Sequence, residues 1–285
     1  MAIDDNLHLT ENSVPHLVDR TPAAKMVRSC CDSAATDRSD HRAHRKCAPR
    51  MGPIEGVGMT NPTTTQPTAA RPGTDEHGNP TSGGSEVIER CDAAIDRFVR
   101  FHVDVEDQVA ALVDDEPTFA MGQVLAAYLH LMSTDARDLD AASAHAASLD
   151  DAVRNDRESL HLAAITTWLE GDWHGAARLL DDLLLQWPAD LLALMIGHQL
   201  DFFLGDAKNL RDRVGRSISA FGPQHPHHGL VRGMQAFGLE ESGHYGIAEQ
   251  ASQEAIDRNP DDVWPCTPPP TSTRGRAAPP TGLPS

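Results

Sequence analysis

The chain has 285 residues, 40% of them hydrophobic and 5% aromatic, with a formal net charge of -18 at pH 7. That length suits one or two domains, and no apolar stretch approaches the roughly 20 residues a bilayer crossing needs. Residues 59–264 hold 34 acids against 14 bases, or -20, a balance that repels phosphate backbones and anionic lipid and argues against nucleic-acid and membrane partners.

The opening residues, MAIDDNLHLTENSVPHL, have early acids and no apolar run behind basic residues, so they are not a signal peptide and the expected location is cytoplasmic. Residues 1–84 show no sustained periodicity. They are rich in Thr, Pro, Ser, Gly and Asp and read as a disordered, low-complexity arm. Met59 is an alternative start, which would leave 1–58 as an over-extended gene model. Cys30, Cys31, Cys47, Cys91 and Cys266 are odd in number and irregularly spaced, against a disulfide framework. Cys30, Cys31, His41, His44 and Cys47 include zinc-ligand types, but their spacing matches no standard finger.

From Ser85 to Trp264 the pattern is helical. Breaks recur at Asp114–Pro117, Asn155, Gly171-Asp172, Trp187-Pro188, Gly205-Asp206, Gly222-Pro223, Gly243 and Asn259-Pro260. Asn155, three residues before Glu158, predicts a capping box, and Pro117 is placed in the first turn of a helix. Gly171 to Pro188, Gly205 to Gly222 and Gly243 to Pro260 are each seventeen residues apart. The glycines recur after 34 and 38 residues, the period of a tetratricopeptide array with a small insertion. Each marked position has a packing reason. Gly171, Gly205 and Gly243 turn helix A into helix B; Trp173 and Tyr245 plug adjacent hairpins; Ala164, Ala176, Ala236 and Ala248 allow close approach; Pro188 and Pro260 stop helix B. The predicted fold class is therefore all-α, a tetratricopeptide-type α/α solenoid forming a right-handed superhelix of hairpins.

The runs Asn155–His161, Trp168–Trp173, Gly233–Tyr245 and Pro260–Trp264 resemble the tetratricopeptide repeat protein 38 family over about residues 86–264. The resemblance implies a helical-repeat protein with no defined catalytic mechanism, and with further repeats beyond this chain's end. Residues 265–285 are Pro-rich. They read as a frameshift product, since one restored base after the Trp264 codon lets them encode a further helix A, or else as a genuine disordered tail. A solenoid ending there would leave a repeat face uncapped and open to self-association.

In such hairpins helix A lines the concave groove. The first copy supplies Glu158, His161, Ile165, Trp168 and Leu169; the second, Leu192, Met195, Gln199, Phe202 and Phe203; the third, Leu230, Gly233, Phe237, Glu240 and Glu241. An aromatic surface with acidic and imidazole groups suits an apolar or basic peptide, although Trp168, Phe202 and Phe237, each taken singly, read more readily as core. Glu158 and His161, three apart, with His198 or Glu240 from neighbouring helices, outline a second reading as a metal or hydrolytic site. Against it, Glu158 reads as half of a capping box and His198 as a hydrogen-bonded core histidine. His225, His227 and His228 are placed in an inter-repeat loop. No catalytic motif, cofactor signature or metal set is assigned. The leading function is a protein-interaction scaffold, the second an enzyme or metal protein, and the third a truncated family member without function.

Overall fold

The computed structural model describes residues 73–150, 152, 154–259 and 264. Pro260, the Cys30–Cys47 ligand types, Met59 and the 265–285 tail lie outside the described residues. The described body begins at Gly73, ahead of the Ser85 boundary expected from composition. Among the described residues, a short hairpin of β1 (Gly73–Thr74) and β2 (Pro80–Thr81) precedes ten α-helices. These are α1 (Ser85–Val99), α2 (Val105–Asp115), α3 (Ala120–Met132), α4 (Leu139–Ser148), α5 (Asp156–Leu169), α6 (Trp173–Gln186), α7 (Leu191–Phe203), α8 (Ala207–Ser217), α9 (His228–Glu241) and α10 (Tyr245–Arg258).

The helices pair along the chain as α3/α4, α5/α6, α7/α8 and α9/α10, each second helix also packing on the first helix of the next pair. This is an all-α solenoid of helical hairpins. Gly171, Gly205 and Gly243 have φ of +87, +66 and +79, the left-handed turn that glycine adopts without a Cβ penalty. Asp172 and Asp206 follow two of them and cap α6 and α8 through the amides of Gly175 and Asn209. The capping box of Asn155 and Glu158 is present at the start of α5. Pro117 falls short of its expected position. Phe119 is the N-cap of α3, and the Pro117 carbonyl, ahead of the helix, accepts the Gln123 side-chain Nε2–H at 2.8 Å.

Packing follows the marked positions. Ala164, Ala176, Ala236 and Ala248 are buried, and Trp173 lies between Trp168 and Phe203, with ring centroids at 5.4 and 6.3 Å. Tyr245, its counterpart on α10, is 55% exposed, beside Ile247 at 57%. No following hairpin among the described residues covers them.

The first helices of the hairpins form the inner layer, where α3 touches both α5 and α7. Across that layer lies α1, packed on α3 and α7. Its face of Ile88, Cys91, Ala94, Ile95, Phe98 and Val99 is buried and continuous with the main core. Each large apolar side chain buried there contributes roughly 1.5–3 kcal/mol. The face that α3 and α7 present is thus covered by the chain's own residues 73–99.

Candidate functional site

The groove is built around one buried arginine. Arg157, in the first turn of α5 and 2% exposed, pairs with Asp190 at 2.6 Å and with Asp75 of the β1–β2 turn at 3.0 Å. It also donates to the Pro80 carbonyl and the Thr81 hydroxyl, each at 3.2 Å. Asp190 caps α7 through the Ala193 amide and accepts His161 Nε2–H at 3.1 Å. Burial alone would raise the Asp190 carboxyl, but the Arg157 charge and His161 hold it well below the usual carboxylate range. His161 Nδ1 faces the Tyr128 hydroxyl at 3.2 Å.

Glu158 has both oxygens engaged. Oε1 accepts the Ser82 amide at 2.7 Å, and Oε2 accepts the Asn155 amide at 2.9 Å. The residue that sequence patterning places in the groove therefore binds the backbone of the docked segment. His161, Trp168, Gln199 and Phe237 are buried, Phe202, Phe203 and Glu240 are partly buried, and Glu241 is exposed. The Gln199 amide has no partner among the described residues, although it is fully buried. His198 Nε2–H donates to the Met234 carbonyl at 3.2 Å and its ring packs against Trp264 at 5.1 Å, so burial pushes its pKa down to about 3. Trp264 also closes on the end of α1, its indole N–H donating to the Val99 carbonyl at 3.3 Å.

The Glu158, His161, His198 and Glu240 set does not come together as metal ligands. Glu158 and His161 are spent on the contacts above, and His198 is turned to a carbonyl. Among the described residues a different group converges: His77, His225 and His227. Sequence patterning leaves His77 in the low-complexity arm and the other two in a loop. The available signal is chemical rather than periodic. Asp-Glu-His-Gly-Asn is a turn sequence that presents a histidine, and Gly-Pro-Gln-His-Pro-His-His presents two more.

Elsewhere, a cleft of about 570 Å³ opens between α2, α3 and α4, lined by Glu106, Ala110, Leu129, His130 and His145. Cys91 is a free, buried thiol whose pKa burial raises beyond the usual range. No family model and no solved structure matches the chain. Among the described residues, no helix is long and apolar enough to cross a membrane.

Proposed function

We propose that the protein is an interaction scaffold whose concave face receives an amphipathic helix preceded by an acidic turn. One observation carries this reading: the face is already holding such a segment of its own chain. Asp75 pairs with Arg157, the Ser82 amide is received by Glu158, and the apolar face of α1 lies against α3 and α7. That is helix-in-groove recognition, with apolar anchors for affinity and a buried ion pair for register. A partner would enter by replacing residues 73–99, so those residues act as an internal competitor. The left-handed glycine turns at the hairpin corners and the buried alanines support a tetratricopeptide-type array, and with it the resemblance to the tetratricopeptide repeat protein 38 family. A cytoplasmic location fits the same reading, with Cys91 a free thiol.

A protease site placed in the Arg100–Asp104 connection provides the test. After cleavage, a labelled peptide spanning residues 73–99 is expected to exchange into the groove saturably, as read by fluorescence anisotropy. The same peptide carrying Ile95→Asp and Phe98→Asp is expected not to bind. Equal uptake of both peptides, or of neither, would sink the groove reading.

A further inference from the structure

The histidine cluster joins two parts of the chain that are nearly 150 residues apart. His77 sits in the β1–β2 turn, where Asp75 Oδ1 accepts the amides of His77 at 3.0 Å and Asn79 at 2.8 Å. Gly78 completes the turn with φ +81. His225 and His227 come from the connection between α8 and α9, where the His225 amide is held by the Gly222 carbonyl at 2.8 Å. Ring centroids are 5.0 Å for His77–His225, 5.1 Å for His77–His227 and 5.7 Å for His225–His227. One nitrogen from each ring falls within 4.8 Å of the others. Phe221, fully buried, backs the cluster at 5.9 Å from His77 and 5.0 Å from His225.

The hydrogen bonds around these rings engage one nitrogen of His227 and leave the other without a partner among the described residues. His227 is 3% exposed at its side chain, and its Nε2–H donates to Asp96 at 2.8 Å. Its Nδ1 is buried with no partner among the described residues. His77 is placed similarly but more loosely: it is 6% exposed, Nε2 lies 3.5 Å from Glu76 Oε1, beyond good hydrogen-bond range, and Nδ1 is buried with no partner among the described residues. A buried polar atom without a partner costs roughly 1–3 kcal/mol, so two side by side need an explanation. A ring nitrogen turned to a carboxylate while the other waits is the usual setting of a metal-ligating histidine.

We propose that His77, His225 and His227 bind a first-row transition metal of the zinc class, with Asp96 and Glu76 orienting the His227 and His77 rings from behind. Three imidazoles and an open fourth position fit tetrahedral zinc. Tetrahedral Zn–N bonds place ligand nitrogens roughly 3.3 Å apart, so nitrogens now within 4.8 Å of one another need close by no more than about 1.5 Å on binding. His225 is the weakest ligand of the three. Its Nδ1 accepts the His227 amide at 3.1 Å, a bond it must yield or turn away from to reach the metal. Occupancy would tie the β1–β2 turn to the α8–α9 connection and, through Asp96, to α1. The site stands whether or not the groove takes an outside partner.

The test uses the full chain with Cys30, Cys31, Cys47 and Cys266 changed to Ser, so that thiols outside the body do not compete. After chelator treatment, zinc is titrated against a chromophoric competitor. We expect one equivalent bound with a Kd of about 1 µM or tighter. His77→Ala and His227→Ala should each weaken binding more than roughly tenfold, Asp96→Asn about tenfold, and His225→Ala less than the other two histidine changes. His102→Ala, an exposed histidine outside the cluster, should change nothing. Far-UV circular dichroism establishes that each variant is folded. X-ray absorption on the same four-cysteine variant with all its histidines in place provides a measurement that needs no change in the cluster, and should count three imidazoles and no sulfur. Absence of binding below about 100 µM, binding undiminished in both His77→Ala and His227→Ala, or a sulfur-ligated metal in the absorption spectrum would overturn the proposal.

Discussion

Two buried arginines make the comparison between the docked segment and the solenoid that carries it. Arg213, on α8, is 1% exposed and pairs with Asp201 of α7 and Asp181 of α6, each at 2.7 Å. It passes over Gly197, where a Cβ would meet its guanidinium at 2.7 Å. All of these partners belong to consecutive helices of the array. Arg157 has the same burial and also two carboxylates, but one of them, Asp75, belongs to a turn 82 residues away in sequence. The body is therefore closed by near neighbours, while the segment is closed by a long-range pair. Stability of the first kind belongs to the fold itself. Stability of the second kind is confined to the packing of residues 73–99 on the array, where the proposed exchange would act.

The widest break in this comparison comes at Asp190, which serves both regions. Asp190→Ala removes the α7 cap and leaves Arg157 and His161 without their shared carboxylate. Breaking a buried pair costs roughly 3–5 kcal/mol, and the cap about 1 more. Thermal melting should show body and segment losing stability together. Asp75→Ala separates them. It leaves the Arg157–Asp190 pair within the body and removes only the carboxylate of the docked turn, so the loss falls on docking. We expect about 3 kcal/mol, read as faster thiol labelling of Cys91 on α1 by peptide mapping, with the melting of the body nearly unchanged. Gly238→Ala reverses the pattern. A Cβ there would lie 2.8 Å from Arg211 Cα and from the Leu210 carbonyl, backbone atoms that cannot turn aside. Pushing α9 off α8 should cost about 1–3 kcal/mol and lower the melting temperature without accelerating Cys91 labelling below it.

The same division explains what could be read from the sequence. Helix ends marked by glycine or by a capping Asp or Asn were legible, because turn chemistry is local: Asn155, Gly171-Asp172, Gly205-Asp206 and Gly243 all fall at helix boundaries. The ends of α1 and α3 were not, and the reason is visible in the backbone. Phe101 and Thr134 take the left-handed conformation there, with φ of 57 and 54, in place of the glycine that usually signals it. Phe101 is held in place by packing on Trp264 at 5.4 Å, a contact no local window contains. The groove positions followed from the repeat period, but their occupant did not. Residues 73–84 have no periodicity because they are a turn fixed by Asp75, Arg157 and Glu158 rather than by a repeating apolar face. His77 was hidden for the same reason.

Asp92 gives the smallest effect and the sharpest one. It lies on α1, half-buried, and its carboxylate accepts the Glu76 amide at 2.9 Å. Burial raises its pKa to about 7, with the charges of Asp75 and Glu76 adding to the rise against that hydrogen bond. The docked state then holds a proton more tightly than the released one, whose Asp92 titrates near 4. Docking is fully favoured below about pH 4 and weakens as pH rises to about 7, where the carboxyl becomes charged in both states. Asp92→Asn removes the proton from this balance while keeping a side chain of the same shape. Docking should tighten at pH 8 by about 1 kcal/mol, since partial exposure screens the charge, and change little near pH 4. Cys91 labelling, normalised to the unfolded chain at each pH, should rise with pH in the parent and stay flat in the variant. A parallel pH dependence in both would place the titrating group elsewhere and leave the segment held by Arg157 and the apolar face alone.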